Sequence, residues 1–158
     1  MIVGAGPNLG VAIARRFGRE GFSVGLVSRN QEKLDGLAGE LEADGITAAG
    51  AAADIRDSDG LAAAKMLDAG HGTILFTTGG AAIKPHPLRA RVGVSFAGEV
   101  AYARMLHDEL RDRGIHVGHT AIGGRIAPGG DHEPDEIAEV LWRHHTERSD
   151  FQIRLGID

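Results

Sequence analysis

Residues 1–18 read MIVGAGPNLGVAIARRFG, in which three glycines separate a short apolar segment from an apolar pattern of helical spacing. The pattern predicts a strand over residues 1–3, a turn over 4–10 and a helix over 11–17. Residues 22–27, FSVGLV, are typical of a buried strand and complete a strand–helix–strand unit. Glycines in such a turn let the backbone approach a diphosphate, whose charge faces the free N–H groups at the helix N-terminus. The turn is therefore predicted to bind a dinucleotide, although its G-x-G-x-x-x-G spacing is one residue longer than the NAD fingerprint. The predicted contacts are Gly4, Gly6, Asn8, Leu9 and Gly10.

The segment after the second predicted strand indicates which dinucleotide is bound. An acidic side chain at this position binds the ribose 2′-hydroxyl of NAD, whereas an arginine suits a 2′-phosphate. The chain has Ser28, Arg29 and Asn30 there. A planar guanidinium is well suited to a phosphate dianion. We therefore expect these three residues to bind cofactor and NADP(H) to be preferred over NAD(H).

The rest of the chain continues the alternation of strands and helices. Helices are predicted from residue 30 or 31 up to Gly45 and over residues 58–69, 94–110 and 134–144, and strands over 46–53, 73–78, 115–122 and 151–155. Such alternation predicts a parallel sheet covered by helices on both faces. The expected fold is an α/β, Rossmann-type doubly wound parallel sheet of about six strands, for which the order 3-2-1-4-5-6 is permitted, within a single domain of residues 1–158.

Composition narrows the classes of function. The chain has 158 residues, no cysteine and a net charge of −5, so a disulfide framework and a thiolate metal site are excluded and a nucleic-acid partner is disfavoured. No apolar stretch is long enough to span a membrane, and the N-terminus does not have the pattern of a signal peptide. Eight histidines are present without an H-x-x-x-H pair on one helix face, so no metal site is predicted. A cytoplasmic protein acting on a small molecule is expected.

Several segments resemble the short-chain dehydrogenase/reductase family. GAGPNLGVAIARRF is similar to the family's glycine turn and helix, with Asn8 in place of the middle glycine, and VGLVSRN is similar to its NADP-preferring members. AAADIRD resembles the strand end that contacts adenine, which implies that Asp54 and Ile55 flank that ring. HDELRDRGIHVGHTAIGGRI resembles the long helix and the strand before the cofactor loop, which implies cofactor contacts from Gly123 and Arg125. The resemblance also implies a homodimer or homotetramer formed through the long helix.

The same resemblance shows departures at the family's catalytic positions. The serine position falls on Gly79, and the tyrosine and lysine positions fall on Val92 and Phe96, none of which can transfer a proton. The single tyrosine, Tyr102, lies ten residues further along and has Leu106 four residues after it. The usual proton relay is therefore absent, and Tyr102 is expected to be a packed aromatic residue.

The chain is also shorter than the family between its third and fourth predicted strands. By comparison with the family, about 60 residues, or two βα units, are missing between Ala64 and Lys65. The gap is either a natural deletion or a segment of the molecule that this chain lacks. In either case a central strand of the family's sheet is missing.

The remaining polar candidates follow the carboxyl ends of two later strands, where ligands of parallel sheets bind. Thr77 and Thr78 are the expected polar neighbours of a nicotinamide, and Thr78 and His119 are the candidate catalytic residues. Three functions remain open at this point. The chain is predicted to be an NADP-dependent oxidoreductase of carbonyls or alcohols with altered catalytic residues, a non-redox enzyme of dehydratase or cyclase type, or a dinucleotide-binding regulatory module.

Overall fold

The computed structural model describes residues 1–52 and 66–157, which form two compact units. Unit 1 consists of Met1–Ala62 with Ile126–Trp142, and unit 2 of Ala63–Arg125 with Arg143–Asp158. The single domain expected for residues 1–158 stays a prediction.

Unit 1 contains the strand–helix–strand unit of the N-terminal sequence and one further repeat of it. Its elements are β1 (Ile2–Val3), α1 (Leu9–Gly18), β2 (Val24–Ser28), α2 (Gln31–Ala43) and β3 (Ala48–Ala52). The three strands are parallel in the order β1-β2-β3, with Val3 opposite Val27 and Ser28 opposite Ala52. The segments that follow the three strands therefore leave the sheet at the same edge.

The core of unit 1 forms where the apolar faces of α1 and α2 cover this sheet. Its buried residues are Val11, Ala14, Val24, Leu26, Leu34, Leu41, Ile46 and Ala48. On the solvent side, Arg15 of α1 donates hydrogen bonds to Glu40 of α2 at 2.6 Å and to Asp44 just after α2 at 2.8 Å. Apolar burial supplies most of the stabilisation, since exposed ion pairs contribute little.

Unit 2 is built on a second parallel sheet. It contains β4 (Gly72–Gly79), α3 (Ala90–Leu110), β5 (Ile115–Ile122) and β6 (Gln152–Leu155), and α4 (Pro134–Glu147) passes from unit 1 into unit 2. The strand order is β4-β5-β6, and all eight residues of the central strand β5 are buried. Leu110, Ile115 and Val117 form its core with Met66, Ile74, Phe76 and Leu106 packed against them.

The α/β class and the parallel sheet are confirmed, but the arrangement of the strands differs from the expected single sheet. The six strands of the described residues form two sheets of three, each reproducing one half of the order 3-2-1-4-5-6.

Element boundaries differ most at the long helix, which begins at Ala90 rather than at residue 94. A 3₁₀ turn over Pro87–Arg89 leads directly into the helix. The His86 side chain caps this turn by accepting a hydrogen bond from the Leu88 N–H group. Helix α4 extends three residues beyond the predicted end, to Glu147. The helix predicted over residues 58–69 falls largely outside the described residues, and residues 66–69 of it are helical.

Within the described ranges, no helix is both long enough and apolar enough to cross a membrane.

The packing of α2 on the sheet makes a direct prediction about stability. Leu34 has no solvent exposure, whereas Leu88 is 91% exposed. Leu34→Ala should lower the free energy of unfolding by about 2–5 kcal/mol, because a cavity replaces well-packed methyl groups. Leu88→Ala, with the same loss of atoms, should leave it within about 0.5 kcal/mol. Urea unfolding followed by the fluorescence of Trp142, the only tryptophan, reports on unit 1. Equal losses in the two variants would contradict the packing described for α2.

Candidate functional site

The glycine turn between β1 and α1 depends on glycine at two positions. Gly4 has φ +73°, a left-handed conformation that favours glycine, and its N–H donates to the Val27 carbonyl at 2.8 Å. A Cβ atom at Gly10 would lie 3.1 Å from Ala5 Cα, so a side chain there would push the turn away from the helix. By contrast, a Cβ atom at Gly6 would meet nothing within 4 Å. The turn is therefore closely packed between Gly10 and Ala5 and has open space beside Gly6.

The start of α1 presents backbone N–H groups beside this open space. The amides of Val11 and Ala12 donate to the carbonyls of Gly6 and Asn8, at 3.2 and 3.1 Å. Within the described part of the chain, the amides of Leu9 and Gly10 donate to no acceptor, and the side chain of Asn8 does not cap the helix. The first turn of α1 also contains no acidic residue. The free amides and the positive end of the helix dipole thus favour an anion at this end of α1.

The segment Ser28–Asn30 follows β2 at the same sheet edge as the glycine turn, because Val3 and Val27 are paired. Arg29 is exposed and makes no ion pair among the described residues. The Asn30 side chain accepts a hydrogen bond from the Lys33 amide at 2.9 Å and so caps α2. The Ser28 hydroxyl accepts one from the Asn30 amide at 3.5 Å. The guanidinium therefore projects from a segment that is anchored to the start of α2.

Asp54 and Ile55, expected to flank an adenine ring, lie outside the described residues, and so does the gap expected between Ala64 and Lys65. Strand β3 ends at Ala52, directly opposite Ser28, so the chain leaves β3 at the edge that carries the glycine turn.

The two candidate catalytic residues of unit 2 are in direct contact. Thr78 Oγ1 lies 2.9 Å from His119 Nε2, and the two residues are 5% and 0% exposed. The register of β4 with β5 explains the contact. Phe76 stands opposite His119, and Thr78, two residues further, points to the same face. Thr77 points to the other face and is exposed.

Two residues of β6 extend this contact, and the sequence analysis did not identify them. Gln152 stands opposite His119 in the sheet, and its Nε2 lies 3.2 Å from His119 Nδ1. The Arg154 guanidinium donates to Gln152 Oε1 through two nitrogens, at 3.1 and 3.0 Å. The alternation of side chains along β6 could have shown that residues 152 and 154 share a face, but only the register shows which residue of β5 they meet.

Gly123 follows β5, and its N–H donates to the Leu155 carbonyl at 2.8 Å. A Cβ atom there would collide with the Gly156 carbonyl, so the close approach of the two chain segments requires glycine at this position. Arg125 is exposed two residues further. Both residues lie in unit 2, as Thr77 does, whereas the glycine turn and Arg29 lie in unit 1.

Comparisons with known proteins identify a relationship for this arrangement. A family model described as short chain dehydrogenase matches residues 1–65. Among solved structures, a short-chain dehydrogenase from Rhodopseudomonas palustris is 25% identical, and the match covers 96% of this chain and 94% of that chain with a TM-score of 0.82. No curated protein sequence matches the chain.

Two further structures of the same fold are complexes with NADPH. A short-chain dehydrogenase from Sphingobium yanoikuyae is 19% identical, with 97% of this chain and 85% of that chain covered and a TM-score of 0.80. A variant of actinorhodin polyketide ketoreductase is also 19% identical, with coverages of 99% and 94% and a TM-score of 0.84.

Residues 1–65 thus match the short-chain dehydrogenase family, and the chain has the fold of a short-chain dehydrogenase structure that is 25% identical to it. At the positions that the resemblance assigns to serine, tyrosine and lysine, the chain has Gly79, Val92 and Phe96. A Cβ atom at Gly79 would lie 3.0 Å from Cε2 of Phe96, so the aromatic ring occupies the space beside the serine position. Val92 is 46% exposed. Tyr102 is 44% exposed and packs edge-on against Phe76 with ring centroids 6.1 Å apart.

Several histidines of unit 2 lie close together around β5 and the end of α4. His116 and His144 are 7% and 3% exposed, with ring centroids 5.2 Å apart, and His107 lies 6.3 Å from His116. His116 Nε2 is buried and has no hydrogen-bond partner in the described part of the chain. Burial, together with His144 and His107, lowers the pKa of His116 to about 4. This cluster therefore holds a neutral imidazole that resists protonation.

This depressed pKa makes the stability of unit 2 depend on pH. An unfolded histidine has a pKa of about 6.5, so between about pH 6.5 and 4 the unfolded chain binds more protons than the folded one. The contribution of His116 to the free energy of unfolding should be complete above this window and should be lost as the pH falls through it. Amide hydrogen exchange in β5 measures the effect.

A matched pair of substitutions isolates the contribution of His116. In His116→Gln, protection of the β5 amides should decline less between about pH 7 and pH 5 than in the wild-type protein, because the titrating group is gone. His71→Gln changes an exposed histidine of the same unit and should leave the decline as it is in the wild type. A decline of wild-type size in His116→Gln would show that His116 is not its source.

Proposed function

We propose that this protein binds NADP(H) through the N-terminal turn of unit 1 and acts as an oxidoreductase on small carbonyl or alcohol substrates. The observation that carries the proposal is the pair of free amides at Leu9 and Gly10, which share a sheet edge with the exposed Arg29. The amides and the start of α1 suit a diphosphate, and the guanidinium suits the 2′-phosphate that distinguishes NADP from NAD.

Two further facts support NADP(H) as the cofactor. The first is that the segment after β2, Ser28, Arg29 and Asn30, contains no carboxylate that could accept a hydrogen bond from a ribose 2′-hydroxyl. The second is that two proteins of the same fold are NADPH complexes. Cofactor contacts from Thr77, Gly123, Arg125, Asp54 and Ile55 are part of the same proposal.

When bound, the cofactor would supply the hydride, and the protein would have to orient the substrate oxygen. Gly79, Val92 and Phe96 carry no group that can do so, whereas Thr78 and His119 present a hydroxyl and an imidazole in contact with each other. We therefore assign the orientation of the substrate oxygen by hydrogen bonding to Thr78 and His119 rather than to a tyrosine and a lysine.

One observation favours a second function, that of a dinucleotide-binding module without redox activity. The Phe96 ring fills the space beside Gly79, where the family positions its serine. The absorbance of NADPH in the presence of a panel of aldehydes and ketones separates the two functions. Consumption of NADPH with any of them supports the oxidoreductase, whereas tight NADPH binding without consumption supports the binding module.

The role of Arg29 predicts a change in cofactor preference. Arg29→Asp should weaken NADPH binding by about 10- to 100-fold, because a charge-assisted contact worth about 1.5–3 kcal/mol is replaced by repulsion. NADH binding should be unchanged or stronger. Fluorescence titration of each reduced cofactor measures both affinities.

Arg19→Asp is the matched control for Arg29→Asp. Arg19 is also exposed and in unit 1, but it follows the opposite end of α1 from the glycine turn. The same change of charge there should alter the affinity for NADPH by less than about threefold. If both variants lost affinity equally, or if Arg29→Asp kept the preference for NADPH, the assignment of Arg29 to the 2′-phosphate would be wrong.

We also propose that α3 mediates self-association, as the family resemblance implies. Four apolar side chains near or on this helix are at least 44% exposed: Val92, Val94, Tyr102 and Met105. Small residues between them, Ala97, Gly98 and Ala101, would let a second helix approach closely.

Met105→Glu tests the proposal, since Met105 is 58% exposed and a carboxylate in an apolar interface is costly. The mass measured by light scattering should fall from that of an oligomer to that of one chain. Asp108→Asn, an exposed substitution one turn further along, is the control for altered charge on the helix. A wild-type protein with the mass of one chain at high concentration would refute self-association.

A further inference from the structure

Four side chains of unit 2 form a continuous hydrogen-bonded chain from the surface to the buried end of β4. Arg154 is exposed, Gln152 is partly buried, and His119 and Thr78 are buried. The links are 3.0–3.1 Å from Arg154 to Gln152, 3.2 Å from Gln152 to His119, and 2.9 Å from His119 to Thr78. Each residue lies on one face of the β4-β5-β6 sheet, so the strand register fixes the order of the links.

The hydrogen bonds between Arg154 and Gln152 determine which group donates and which accepts in every later link of this hydrogen-bonded chain. A guanidinium has donors and no acceptor, so the atom of Gln152 that faces Arg154 must be the carboxamide oxygen. The carboxamide nitrogen, which only donates, therefore faces His119 Nδ1. With the opposite orientation of the amide, two donors would face each other at Arg154.

The orientation of the Gln152 carboxamide then determines which ring nitrogen of His119 carries the proton. Because Nδ1 of His119 accepts from Gln152, the ring proton of the neutral histidine sits on Nε2. That N–H donates to Thr78 Oγ1. A threonine hydroxyl that accepts a hydrogen bond keeps its own proton for another acceptor, and no acceptor for it is present among the described residues.

The environment of the His119 ring keeps it neutral and immobile. Burial lowers the pKa of His119, and His144 lowers it further. The Phe151 ring stacks on it with centroids 6.2 Å apart, and the His119 amide donates to the Phe151 carbonyl at 2.7 Å. The imidazole therefore has one orientation in which to donate to Thr78.

From this geometry we infer that Thr78 is a hydrogen-bond donor for the carbonyl oxygen of an aldehyde or ketone, polarised by the chain Arg154–Gln152–His119. Thr78 would contact the substrate and act as a catalytic residue, while His119 and Gln152 are positioning residues. Donors linked in series strengthen one another, so the hydroxyl at the end of the chain is a better donor than an isolated threonine. The substrate class in this inference rests on the proposed oxidoreductase function. The order of donors and acceptors from Arg154 to Thr78 does not depend on that function.

The alternative arrangement is a threonine that donates to the histidine, as a nucleophile does to its general base. That arrangement needs the ring proton on Nδ1 and an acceptor facing it. Gln152→Glu supplies such an acceptor without changing the length of the side chain. Gln152→Glu should therefore make His119 Nδ1 a donor to residue 152 and Nε2 an acceptor from Thr78. Gln152→Met should remove the hydrogen bond to His119 with little change in the shape of the side chain.

Nitrogen-15 spectra of the histidine side chains test the direction without any ligand. In the wild-type protein, His119 should show a protonated Nε2 and an unprotonated Nδ1 at neutral pH, and Gln152→Glu should exchange the two. Gln152→Met should remove the preference for one form. A wild-type spectrum with the proton on Nδ1 would overturn the inference, whether or not the protein binds NADPH.

Infrared spectra of a carbonyl probe test the role of Thr78. The probe is benzaldehyde labelled with carbon-13 at the carbonyl, added with oxidised NADP so that no hydride can be transferred. A shift of the labelled band to lower frequency is expected in the wild-type protein and in Thr78→Ser, and its loss is expected in Thr78→Val. An unshifted band in the wild-type protein, or an equal shift in Thr78→Val, would refute the assignment of Thr78 as the donor.

The pattern of kinetic effects distinguishes a positioning role from a merely structural one. If NADPH is consumed with benzaldehyde, Thr78→Val should lower kcat by about 10- to 100-fold with little change in KM, and Thr78→Ser should restore most of it. Gln152→Met should lower kcat by a smaller factor, since it acts through His119. Failure of NADPH to bind at all would refute the proposed function while leaving the nitrogen-15 result to decide the direction of the chain.

Discussion

The close approach of Gly10 to Ala5 is the constraint on which the site in unit 1 depends. A Cβ atom at Gly10 would lie 3.1 Å from Ala5 Cα, so any other residue would require the backbone of Ala5 to shift for α1 to begin in the same place. The left-handed Gly4 makes the same turn possible from the other side, and its amide ties the turn to the end of β2. Within the described residues, the amides of Leu9 and Gly10 are then left without an acceptor at the positive end of α1. An anion is favoured at this place as a consequence of the turn, and the proposed function takes that anion to be the diphosphate of NADP(H).

Parallel strands account for the location of the glycine turn, Arg29, Thr78 and His119 among the described residues. Because β1, β2 and β3 run in the same direction, the glycine turn and Arg29 leave the sheet at one edge. In the second sheet the same rule places Thr78 near the end of β4 and brings His119 and Gln152 onto its face. Unit 2 combines this polar face with an aromatic ring beside Gly79, where the family has its serine. The proposed function accordingly places the hydrogen bonding to the substrate on the sheet rather than on the long helix.

Much of this could be predicted from the sequence, because it depends on local patterns. The glycine turn, the first strands and helices, the α/β class and the strand β5 follow from periodicity and from glycine positions, and Thr78 and His119 followed from their place near strand ends. What could not be predicted depends on contacts between distant residues. The Thr78–His119 contact and its extension to Arg154 require the register of three strands. The sequence also did not predict that the six described strands form two sheets of three.

The backbone amides of the glycine turn give the most direct test of the central claim, that free N–H groups at the start of α1 bind the diphosphate of NADP(H). Amide proton and nitrogen chemical shifts can be followed while NADPH is added to the labelled protein. The account predicts that the largest downfield changes in unit 1 occur at Leu9 and Gly10, since these amides gain a charged acceptor, and that the Arg29 side chain changes with them. Binding of NADPH that leaves both amides unchanged, or no binding at millimolar cofactor, would contradict it.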